Sequence, residues 1–94
     1  MDSRDTAELI HQFREPVRTA AGVPYVAQAW GQRNGKWHGW LVFIAADGRI
    51  LRTAREKVYA SKDAVLVWAM SLRPGDLGRA LGRAVPPSAE LPAA

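Results

Sequence analysis

The sequence predicts a two-layer α+β domain: a three-stranded antiparallel β-meander with an N-terminal helix and two C-terminal helices, in the order α-β-β-β-α-α. Three observations carry this. Asn34-Gly35 and Asp47-Gly48 divide β-prone runs, and both dipeptides favour the tight turns that join antiparallel strands. Val65, Trp68, Ala69 and Leu72, followed by Leu77, Ala80, Leu81, Ala84 and Val85, recur at helical spacing. Leu9, Ile10, Phe13 and Val17 do the same near the N-terminus.

Taken in order, Asp5 and Glu8 have the spacing of a capping box, so the first helix is expected over 5–14, with Pro16 ending it. Gly22 and Pro24 make a connector, and strands are expected over 25–33, 36–46 and 49–56. Ser61 is a suitable N-cap and Asp63 suits the positive start of a helix over 62–72. Arg73-Pro74-Gly75 breaks that helix and Asp76 can cap a shorter one before Pro86-Pro87. Residues 1–85 then form one domain and 86–94 a flexible Pro/Ala-rich tail. This order is similar in topology to the double-stranded-RNA-binding domain fold. Lys62-Asp63 stands where such domains carry a basic cluster, so the resemblance carries no function.

A chain of 94 residues, 48% hydrophobic, supports one core. It has no cysteine, which excludes disulfides, thiolate metal sites and a cysteine nucleophile; two histidines without an acidic cluster argue against a zinc or iron centre. No metal and no cofactor is expected. The longest apolar run, Trp40 to Ala46, is far short of the roughly 20 residues that cross a bilayer, and the polar start does not resemble a signal peptide. The expectation is a cytoplasmic protein without a membrane segment. The net charge of +4 suits an anionic partner such as nucleic acid, although ten arginines and sixteen alanines also reflect GC-rich coding.

With two-residue turns, Arg33 pairs with Lys36, and Ala46 with Arg49. Alternation then places Tyr25, Ala27, Ala29, Trp40, Val42, Ile44, Leu51, Thr53 and Arg55 on the core face, where the small alanines leave room for helices and Arg55 can stack on Trp40 at the rim. The opposite face receives Val26, Gln28, Trp30, Trp37, Gly39, Leu41, Phe43, Ile50, Arg52, Ala54 and Glu56, with Trp30 lying across Gly39. Trp30, Trp37 and Phe43 would make an aromatic platform, and three occupants fit it. The N-terminal helix could cover it, a second copy could pack on it as a homodimer, or bases could stack there while Arg33, Lys36 and Arg52 meet phosphates. The candidate binding residues are therefore Gln28, Trp30, Arg33, Lys36, Trp37, Phe43 and Arg52.

No catalytic residue is expected. His11 has Glu8 and Glu15 within a helical turn, the ordinary pattern of a solvated helix face; His38 lies near a hairpin end, and neither Ser3 nor Ser61 has a base beside it. The expected function is that of a small non-enzymatic protein that binds nucleic acid through the aromatic, arginine-containing sheet face. The alternative is a protein-protein interaction module, an accessory subunit or inhibitor, using the same face, and the chain is expected to be a homodimer.

Overall fold

The computed structural model describes residues 6–87. Its elements are β1 (Glu8–Gln12), β2 (Val17–Arg18), β3 (Pro24–Asn34), β4 (Lys36–Ala45), β5 (Ile50–Arg52), β6 (Lys57–Tyr59), α1 (Lys62–Ser71) and α2 (Pro74–Arg83). The six strands form one antiparallel sheet followed by two helices. β3 and β4 make the central hairpin. β1 and β2 pair one after the other with β3, and so act as one interrupted edge strand. β5 and β6 do the same along β4.

This overturns the three-stranded meander with an N-terminal helix. The segment expected as that helix is β1, and Asp5, half of the proposed capping box, lies outside the described residues. The cause is a break in the strand period. The register slips between Leu9 and His11, so Ile10 packs toward the core together with Phe13 and Val17. Inward residues then stand three and four positions apart, which reproduces helical spacing on an extended chain. Glu8 is spent on Lys62 Nζ at the start of α1, 2.7 Å away. With no N-terminal helix, the topological similarity to the double-stranded-RNA-binding domain also falls. Most of the expected tail, 88–94, lies outside the described residues, as does Ser3.

Both turns contain one residue more or fewer than the dipeptide rule assumes. At the first, Arg33 pairs with Trp37, and Gly35, at φ +77°, stands alone between the paired Asn34 and Lys36. At the second, the Ala45 N–H donates to Arg49 O and the Gly48 N–H to Ala45 O, with Gly48 at φ +92°. That is a three-residue loop closed by a glycine in the left-handed region. Asp47 accepts from the Arg49 backbone N–H at 3.0 Å, and this bond holds its carboxyl below the usual 3.8. A depressed folded pKa gives stability that is present above the ordinary carboxylate range and lost as pH falls through the folded value. Asp47→Asn is expected to flatten the acid side of the unfolding-midpoint-against-pH curve.

Moving each turn by one residue flips β4 relative to both neighbours. The helix-covered face therefore carries Tyr25, Ala27 and Ala29 from β3 with Leu41, Phe43 and Ala45 from β4, all buried. Val65, Trp68 and Ala69 of α1 and Leu77, Ala80 and Leu81 of α2 close over it. The room left by the β3 alanines is used as expected. Buried Thr53 is satisfied because its Oγ1 accepts from the Leu41 N–H at 3.1 Å.

The helices begin near their expected positions. Ser61 Oγ accepts from the Ala64 N–H at 3.2 Å, the N-cap bond of α1. Pro74 opens α2, and Asp76 caps from inside its first turn by accepting from the Arg73 N–H at 2.9 Å. Arg83 of α2 reaches Glu56 at 2.6 Å and ties the helix to the β5–β6 edge. Val85 then exchanges two backbone hydrogen bonds with Arg52, which extends the sheet past β5.

Candidate nucleic-acid interface

No described helix covers the other face of the sheet. Its outward positions include Leu9 on β1, Gln28 and Trp30 on β3, Trp40, Val42 and Ile44 on β4, and Ile50 and Arg52 on β5. The irregular stretch between β5 and β6 returns Arg55 to this side, over Trp40.

Trp40 is the centre of the arrangement. It is only 4% exposed although no helix packs on it, because two guanidinium groups lie over its ring: Arg52 at 4.9 Å and Arg55 at 5.3 Å from the centroid. Such stacking is favourable because the ring quadrupole attracts the cation and the planar guanidinium shields the apolar surface. Arg55 also donates to Gln32 Oε1, which holds that guanidinium on the sheet. Trp30 lies directly opposite Trp40 in the β3–β4 pairing and stays half-buried. Its Nε1–H donates to Gln28 Oε1 at 2.9 Å, and Gln28 Nε2 donates to Gln12 Oε1 at 2.8 Å.

Charge is distributed unequally between the two faces. Glu8 pairs with Lys62, Glu56 with Arg83 and Asp76 with Arg79, all on the helix side, while Asp47 pairs with Arg49 at the second turn. None of the outward strand positions among the described residues holds a carboxylate. The face is cationic at its centre and apolar toward its margins, where Leu9 is 47% and Val58 53% exposed.

The residues expected to form one surface are thus divided. Gln28, Trp30 and Arg52 share the uncovered face, and Lys36 is exposed at the tip of the β3–β4 hairpin. Arg33 is exposed at the same tip but faces the other way, opposite Trp37. Phe43 is 0% exposed, and Trp37 packs half-buried against the core. Neither belongs to a platform with Trp30. Trp30 also does not lie across Gly39, which instead receives Trp68 and Val65. The register inference missed Trp40 as a member of this face, along with Gln12, Gln32 and Arg55. The Trp40–Arg55 stack was expected, but on the core side.

His11 makes an edge-on contact with Phe13, ring centroids 4.8 Å apart. Among the described residues, no group of three or more histidine or acidic side chains is placed to hold a metal, and no helix is long and apolar enough to cross a membrane. Gly78 and Gly82, whose spacing could admit a neighbouring helix, have nothing within 4 Å of where a Cβ would stand. Comparison with protein-family models, with curated proteins and with solved structures finds no match for this chain.

Proposed function

We propose that this is a non-enzymatic binding protein that takes nucleic acid on the sheet face left uncovered by its helices. The observation that carries the reading is the Arg52–Trp40–Arg55 stack beside half-buried Trp30, on a face whose described strand positions hold no carboxylate. Stacked guanidiniums present donors and a flat cationic surface together, the chemistry that suits phosphate beside a base. Lys36 at the hairpin tip extends the positive charge of this face.

A second copy of the chain fits less well. Face-to-face packing would set the Arg52 and Arg55 guanidiniums of one copy toward those of the other. The apolar margin, with Val26, Leu9, Ile50 and Val58 exposed, favours a protein partner as the second reading, one that brings its own carboxylates.

The test is binding of a labelled, mixed-sequence oligonucleotide followed by fluorescence anisotropy at low and at physiological salt. The expected result is saturable binding that weakens with salt, and a salt slope that falls by about one when Arg55 is replaced by alanine. Absence of saturable binding at low salt would remove nucleic acid as the ligand and leave a protein partner.

A further inference from the structure

Resting on that reading, we infer that the ligand is single-stranded and that it seats one unstacked base on the indole of Trp30. The sheet offers one aromatic seat rather than three. Phe43 and Trp37 face the helices, and the Trp40 ring is covered by two guanidiniums. Trp30 is only partly buried, and the hydrogen bond from its Nε1–H fixes where the ring lies.

The fixing follows from donor and acceptor chemistry. An indole N–H can only donate, so Gln28 must turn its oxygen toward Trp30. Its amide nitrogen then faces Gln12, which must offer its own oxygen. This relay runs from β3 to β1 and draws the indole along β3, with Leu9 opposite on one side and Trp40 on the other. The Gln12 amide nitrogen is then the donor end of the relay. A half-exposed aromatic held this way loses little rotamer freedom when a flat ligand settles on it, which is where preorganisation favours binding.

The same geometry selects the form of the nucleic acid. The proposed seat is the π-face of this half-buried indole, and in a duplex the π-faces of the bases are already stacked on one another. Only an unpaired base can present one. Arg55, held by Gln32 beside the seat, is placed for the adjoining phosphate.

The experiment compares a mixed-sequence strand of about 12 nucleotides with the same strand annealed to its complement, using the full chain. Single strand is expected to bind at least about tenfold more tightly and to quench tryptophan fluorescence, the signature of base stacking. Trp30→Ala is expected to lower single-strand affinity roughly 5- to 100-fold, the loss of one base–aromatic stack, with duplex affinity unchanged. Trp30→Phe should keep most of the affinity. If the alanine variant does not fold, Trp30→Leu retains apolar bulk without a π-face and should show the same loss. Equal affinity for single strand and duplex, or full single-strand affinity in a folded Trp30→Ala or Trp30→Leu, overturns the single-base seat while nucleic-acid binding stands. Absence of salt-sensitive binding by either form overturns both.

Discussion

Replacing Phe43 by alanine is expected to cost the domain about 3–5 kcal/mol, measured as a fall in the urea midpoint at constant m-value. Phe43 is completely buried at the middle of β4 and belongs to the cluster that α1 and α2 close over. It is held between two neighbouring strands, paired with Ala27 on β3 and Leu51 on β5, so the surrounding backbone has little freedom to collapse into the space. The loss would be a large share of the roughly 5–15 kcal/mol that stabilises a typical domain. Trp30→Ala serves as the contrast. Its indole lies on the uncovered face, so the variant should stay folded and lose at most a small part of that amount. A Phe43→Ala protein as stable as the parent would mean that β4 presents Phe43 to solvent, and the register described above would be wrong.

That register is also where the sequence was hardest to read. The apolar spacing around Val65, Trp68 and Ala69 marks α1 because a regular helix keeps one period along its length. Ser61 marks its start because the capping bond is local. Turns at Gly35 and Gly48 were legible for the same reason, since left-handed backbone there needs glycine. What the dipeptides do not encode is the number of residues in each loop. One residue's difference moved Phe43 and Trp37 to the core side and Trp40 to the open side.

The N-terminal strand was hidden by a related effect. Its bulge between Leu9 and His11 turns alternation into a spacing of three and four, and only pairing with β3 makes it a strand. The candidate site shows what survives such errors. Gln28, Trp30 and Arg52 were placed together because both turns differ from the assumed length by one residue, which turns β4 over while leaving those positions of β3 and β5 on a common face. The relay from Trp30 to Gln12 could not be seen, because it depends on an edge strand that was expected to be a helix.

Gly39→Ala provides the sharpest test of how the helices sit on the sheet. In a strand, exchanging glycine for alanine ordinarily gains about 0.4–1 kcal/mol by restricting the unfolded chain. At position 39 the sign should reverse. An added Cβ would stand 3.0 Å from Cζ3 of Trp68 and 3.1 Å from Cγ1 of Val65, and both of those side chains are buried. The indole cannot swing away without lifting α1 from β4, so overpacking should leave a net loss of about 1–3 kcal/mol. Two other glycines calibrate the measurement. Gly31→Ala would meet Cγ1 of Ile10 at 3.2 Å, but Ile10 sits half-buried on an edge strand and can give way, so the change should be near neutral. Gly78→Ala adds a methyl group into open space on α2 and should stabilise by up to about 1 kcal/mol. If all three substitutions raised the unfolding midpoint alike, unfolded-state entropy alone would account for them, and Trp68 would not rest on Gly39. A midpoint that falls only for Gly39→Ala would establish that this glycine is the floor on which α1 is seated, and that the helix-covered face of β4 begins there.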